Sequence, residues 1–240
     1  MPLQATSGAA SYDAFGGGVP VVPNYIEDVF STWLSTGDNS SSRAIVNGID
    51  LATKGGLVWG KRRDSTGNNQ LYDTARGVNK YLISNDTGGQ GDISPDGVNA
   101  FNTNGFSTGV ALNTSPYTYA YWTFRKQPKF FDVMTFTADL SNANQRISHN
   151  LGSVPGTIII KCTNISGSFS DWWTYHRSLG RSAYLKLNAT TASTSSTNFW
   201  GTSDPTSTDF GFNAFDWGLS GGTYVAYLFA HDAGGFGLTG

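Results

Sequence analysis

The amino-acid sequence predicts an all-β protein, and three observations carry that prediction. Strong helix formers are scarce: among 240 residues Glu occurs once, at Glu27, and Leu, Lys, Gln and Met are few. Thr, Val, Tyr, Phe and Trp, which suit a pleated, half-buried surface, run through the whole chain, and aromatics reach 14%. Clusters of Gly, Ser, Asn and Pro cut these residues into short runs. With that aromatic content the chain buries enough surface to fold, which excludes wholesale disorder.

Taken in order, residues 1–25 show neither a two-residue nor a 3.6-residue apolar period. Gly16-Gly17-Gly18, followed by Pro20 and Pro23, predicts a flexible joint and then a stiff extended segment. This is an extended N-terminal docking arm, ordered only against another surface, with Tyr12, Phe15, Val21, Val22 and Tyr25 as its anchors. From residue 26 short strand-forming runs follow at 28–34, 43–46, 56–62, 80–84, 106–110 and 117–126. A second series occupies 130–138, 145–149, 156–163, 171–176, 183–188, 208–213 and 223–231. Asn47-Gly48, Gly88-Gly89, Asp96-Gly97, Asn104-Gly105 and Gly221-Gly222 supply turn chemistry between them.

The two series resemble each other. Asp28-Val29-Phe30 returns as Asp132-Val133-Met134, and Gly56-Leu57-Val58-Trp59 as Gly156-Thr157-Ile158-Ile159. Tyr81-Leu82 returns as Tyr184-Leu185, Asn104-Gly105-Phe106-Ser107 as Thr208-Asp209-Phe210-Gly211, and Thr118-Tyr119-Ala120-Tyr121 as Thr223-Tyr224-Val225-Ala226. The offsets are 104, 100, 103, 104 and 105, in one order. They predict two tandem antiparallel β-sandwich modules of jelly-roll or lectin-like form, 26–128 and 129–240, the second a duplicate of the first. The seam falls near Lys126 to Phe131, and the Gly-rich end from Ala233 to Gly240 is where a longer tandem array would continue.

Charge and cysteine usage narrow the partners. Fifteen basic and seventeen acidic residues give a net charge of −2, so no global attraction to nucleic acid is expected. Lys61-Arg62-Arg63 is a solvated strand end or loop. One cysteine, Cys162, forms no internal disulfide and no multi-cysteine zinc site. The start of the chain has no signal-peptide pattern, and the longest apolar stretch, near Tyr224 to Ala230, is far too short to cross a bilayer as a helix.

Several segments carry a family resemblance. They are Tyr72-Asp73-Thr74-Ala75-Arg76-Gly77 with Lys80-Tyr81-Leu82; Trp122-Thr123-Phe124-Arg125-Lys126 with Pro128-Lys129-Phe130-Phe131; His149 to Gly156; and Ala230 to Gly237. With the arm from Ala5 to Gly18, they resemble a module that recurs in bacteriophage tail-fibre-type virion proteins. The resemblance implies concanavalin-A-like or SPRY-like sandwiches and a structural virion role. On it, the chain is the N-terminal part of a tail fibre, made in the host cytoplasm, attached to other tail proteins through the arm and carrying host-recognition modules. Fibres are symmetric homo-oligomers, and a trimer is the expected state. The alternative is a carbohydrate-binding, lectin-like module that recognises host-surface polysaccharide.

No enzymatic site is expected. Glycoside cleavage needs two carboxyl groups flanking the bond, and the single Glu lies at the edge of the arm. Asp64, Asp86, Asp92, Asp96 and Asp204 sit in turn contexts. No Ser, His and Asp arrangement for nucleophilic catalysis can be assigned from their order, and Cys162 lies in the buried-strand sequence Thr157 to Thr163. His149, His176 and His231 match no metal-ligand spacing, so neither metal nor cofactor is expected, and His149 reads as a turn-ordering residue. The best ligand candidate is Trp172-Trp173-Thr174-Tyr175-His176-Arg177. Strand neighbours point to opposite faces, so one Trp is expected outside. Alignment with Asn69-Gln70-Leu71-Tyr72 makes Tyr72 and Tyr175 the shared core position and places Trp173, opposite Gln70 in that alignment, outward. Trp173, His176 and Arg177 thus form the candidate glycan site, against the plainer readings of core packing or an inter-subunit contact. Trp200 and Trp217 face the same choice. A sugar binder exposes its Trp in a groove, whereas a spacer buries them between modules or subunits.

Overall fold

The structure, a computed structural model, describes residues 25–139, 141–166, 170–213 and 222–231. The arm anchors Tyr12, Phe15, Val21 and Val22, like Trp217, lie outside the described residues, and Tyr25 is exposed. The protein is all-β; among the described residues every strand pair is antiparallel and helix is limited to the single turns Ile26–Asp28 and Val110–Leu112.

The first nine strands are β1(Phe30–Thr36), β2(Arg43–Val46), β3(Gly56–Arg62), β4(Asn69–Asp73), β5(Lys80–Ile83), β6(Gly91–Asp92), β7(Val98–Asn102), β8(Gly105–Thr108) and β9(Thr118–Arg125). They form a large sheet in the order β1-β9-β3-β4-β5-β6 and a small one, β2-β8-β7. Between them lies a core that includes Ile45, Val58, Tyr72, Val98, Phe106 and Tyr121. The β7–β8 hairpin needs its glycine: Gly105 has φ +147°, and a Cβ there would lie 1.9 Å from the Ile45 carbonyl oxygen.

The remaining strands are β10(Phe131–Thr137), β11(Gln145–Ser148), β12(Pro155–Cys162), β13(Trp173–His176), β14(Ala183–Lys186), β15(Thr194–Ser195), β16(Asp209–Phe212) and β17(Thr223–Ala230). Their large sheet runs β10-β17-β12-β13-β14-β15, which repeats the first strand for strand, and β11-β16 covers it. The second core is richer in aromatics and encloses Trp173, Tyr184, Phe199, Trp200, Phe210 and Phe212.

Ladder registers fix which residues correspond. Val58 faces Tyr72 as Ile158 faces Tyr175, and Trp59 faces Trp122 as Ile159 faces Tyr227. One sequence match needs correction. Phe30 pairs with Phe124 and Phe131 with Phe229, so Phe30 corresponds to Phe131 at an offset of 101, not to Met134. The similarity of Asp-Val-Phe to Asp-Val-Met misled because short strand sequences look alike out of register. Strands β4, β6, β7 and β15 also fall outside the predicted runs. Two have only two residues, and polar Asn and Gln residues within the other two hide them.

The two large sheets also pack against each other. A third core unites Leu57, Leu71 and Leu82 of the first with Phe131, Val133, Val225 and Tyr227 of the second, and Trp172 joins it. Side chains alternate along each strand, so one face of each large sheet serves its own module and the other serves this shared core. Trp172 donates its Nε1 hydrogen to the carbonyls of Ile83 (2.9 Å) and Asp86 (3.1 Å). The Gln90 amide donates to the Thr163 carbonyl at 2.7 Å.

Candidate functional site

The Trp172–Arg177 segment does not form the predicted platform. Trp173 is 1% exposed, with its ring 4.9 Å from that of Tyr184 and 5.0 Å from that of Phe199. The expectation that one of two adjacent Trp faces solvent fails because both faces of this sheet are covered. Trp173 enters the core of its own module, and Trp172 enters the shared core. Nor did Gln70 mark an outward position: its Oε1 accepts the Tyr72 hydroxyl at 2.5 Å, on the inner face. Tyr72 and Tyr175 are both buried, and so is Trp200, whose Nε1 donates to the Ala183 carbonyl at 3.1 Å.

His176 and Arg177, at the end of β13, are exposed. Arg177 lines a cleft of about 450 Å³ with Ser153, Tyr175, Asp204 and His231. Burial raises the Tyr175 hydroxyl above its usual range, and the nearby Asp204 charge adds to that. The cleft's Asp204 is loosely paired, 3.7 Å from Arg181. The cleft offers donors and acceptors to hydroxyl groups, and among the described residues its lining holds one carboxylate, where glycoside cleavage requires two.

A second concavity, about 310 Å³, opens on the first module and is lined by Trp59, Asn69, Trp122 and Phe124. Trp59 and Trp122 are cross-strand partners whose rings meet edge to face at 6.5 Å. The Trp59 Nε1 is buried and has no hydrogen-bond partner. Sequence reasoning missed this groove, because only the register of β3 on β9 brings those residues together.

The remaining candidates are structural. Cys162 is a buried free thiol. His149 orders its turn by accepting the Leu151 amide on Nδ1 at 3.2 Å. Lys161 is fully buried, with its ammonium donating to the carbonyls of Thr87 (3.3 Å) and Cys162 (3.2 Å) and to the Ser170 hydroxyl. Burial pushes its pKa down to about 8. Among the described residues no three His, Cys, Asp or Glu side chains gather as metal ligands would.

Comparison with known proteins finds no match to a curated protein and none to a solved structure. Residues 26–240, both modules together, match one family, the Domain of unknown function (DUF7483). The chain belongs to the DUF7483 family.

Proposed function

We propose that the protein is a structural component of a bacteriophage tail fibre, in which two fused sandwiches form a stiff segment behind an N-terminal docking arm. The observation that carries this reading is the shared core. Trp172 and Tyr227 of the second module are buried against the first, so the two modules form one body rather than beads on a linker. A spacer is expected to bury its aromatics between modules in this way. The role is non-enzymatic, and polysaccharide depolymerisation abolished by a single Asp→Asn change would overturn that part.

Truncation tests the assignment. Removing residues 1–22 is expected to leave the thermal transition of the modules nearly unchanged and to abolish incorporation into virions. Tyr25 at the arm's end is exposed, so the module cores do not rest on it. Normal incorporation of the truncated chain would overturn the docking role. Failure to detect the full-length chain in virions by immunogold labelling would overturn the fibre reading itself.

Glycan recognition is the second reading, favoured by the Arg177 cleft with its mixed donors and acceptors. Binding of host polysaccharide that Arg177→Ala abolishes would support it.

A further inference from the structure

We infer that the Trp59–Trp122 groove is an interface for a second copy of this chain, seated head to tail. The inference extends the oligomeric side of the fibre reading, and its test in solution is independent of finding the chain in a virion.

Positions on the outer faces of the two large sheets correspond between the modules. Across the ladders, Trp59 corresponds to Ile159, Trp122 to Tyr227 and Phe124 to Phe229, because the first of each pair holds the same register place in its sheet. Gln70 faces Gly60 as Trp173 faces Ile160, so the preceding residues, Asn69 and Trp172, also correspond. Thr32 faces Trp122 as Val133 faces Tyr227. In the second module this set is docked: Val133, Trp172 and Tyr227 are buried in the shared core, and Ile159 and Phe229 pack on it. In the first module Trp59 and Phe124 also pack on that core, but Thr32 is exposed, and Trp122 and Asn69 are only half-buried and line an apolar groove at its edge. One set of positions therefore occurs twice, once buried by a module of this fold and once left partly open at Trp122 and Asn69.

The groove is also continuous with that established interface, since Trp59 and Phe124 pack at the edge of the shared core. What covers the docked set is the β3–β4–β5 face, with Leu57, Leu71 and Leu82. That face is occupied within each chain. Its counterpart in the second module lies on β12–β13–β14, where Leu185 takes the place of Leu82, each being paired opposite the corresponding residue of the neighbouring strand. In the turn directly after that strand, Leu187 is 42% exposed. The groove of one copy thus meets the Leu185–Leu187 face of the next, a heterologous contact that closes into a ring or extends as a line.

Sedimentation of the full chain across a concentration series tests this with two substitutions on opposite sides of the contact. Wild type is expected to self-associate. Trp122→Lys and Leu187→Lys should each weaken association by roughly tenfold or more, with circular dichroism and the thermal midpoint retained. A mixture of the two variants should recover heterodimers and nothing larger, since each keeps the half the other lacks. A monomeric wild type at its highest soluble concentration would overturn the inference. So would wild-type association in either variant, or saccharide binding by a monomer that Trp122→Ala abolishes, which would make the groove a sugar platform.

Discussion

Tyr227 of the second module donates its hydroxyl hydrogen to Asp73 Oδ2 of the first at 2.7 Å, inside a core that excludes water. Arg76 completes the group: its Nε lies 2.6 Å from the same carboxylate oxygen and its Nη2 is 3.4 Å from the tyrosine hydroxyl. Burial holds the Tyr227 hydroxyl well above its ordinary pKa, so it remains a donor at any physiological pH. A buried ion pair contributes little net stability on its own, but removing one partner leaves a charge short of a hydrogen bond.

Tyr227→Phe is therefore expected to cost about 1–3 kcal/mol, the penalty for an unsatisfied buried group bonded to a charge. Urea unfolding should show a lower midpoint with an unchanged slope. An unchanged midpoint would mean that Arg76 alone satisfies Asp73.

Trp172 makes the stronger connection between the modules, with its ring stacked 6.3 Å from that of Tyr227 and its nitrogen on two carbonyls of the first module. Trp172→Ala should cost about 3–5 kcal/mol, and the loss falls on the shared core rather than on either module's own. Calorimetry is expected to show one unfolding transition in wild type and two in the variant. A single, merely shifted transition in the variant would show that the remaining contacts, among them Tyr227, β10 and the Gln90–Thr163 and Lys161–Thr87 bonds, keep the modules coupled.

How much of this was legible in the sequence follows from the range of each cause. Strand propensity and turn chemistry act locally, so β2 and β3 sit at the predicted residues and Asn47-Gly48 turns with Gly48 at φ +84°. The repeat of strand order was legible through the Gly56–Gly156 match and the Tyr72–Tyr175 core pair. The orientation of Trp173 was not, because the burial of both faces of β13 depends on a second sheet packing from the neighbouring module. The groove was hidden for a similar reason: Trp59 and Trp122 become neighbours only through a strand pairing between residues far apart in the chain.

His149 gives an acid-side test. Burial lowers its pKa below the ordinary 6.5, and the nearby Asp132 charge only partly offsets this. A base whose folded pKa is depressed contributes stability above its unfolded pKa and loses it as pH falls through that value. Unfolding free energy should therefore decline below pH 6.5, and His149→Gln should flatten part of that decline. An identical pH profile in the variant would place the acid sensitivity on the carboxylates instead.

Lys161 gives the opposite, alkaline-side test. Its ammonium lies at the joint, bonded to Thr87 of the first module and to Ser170 and Cys162 of the second, with no carboxylate in contact. Burial lowers its pKa from 10.5 to about 8, against the attraction of Asp86 and Asp171, so the fold favours the neutral amine. The unfolded chain binds the extra proton, so stability rises as pH climbs from the folded value toward the unfolded one. The expected gain between neutral pH and about pH 9.5 is about 1–2 kcal/mol, before tyrosine ionisation in the unfolded chain reverses the trend. Lys161→Met keeps the stem's volume and removes the charge, so it should be neutral or stabilising near pH 7 and should abolish the alkaline rise. Denaturant unfolding of both proteins across that range measures the difference. If Lys161→Met instead destabilises strongly at every pH, the three hydrogen bonds of the ammonium outweigh its desolvation, and the lysine is a bridge that holds the two modules together.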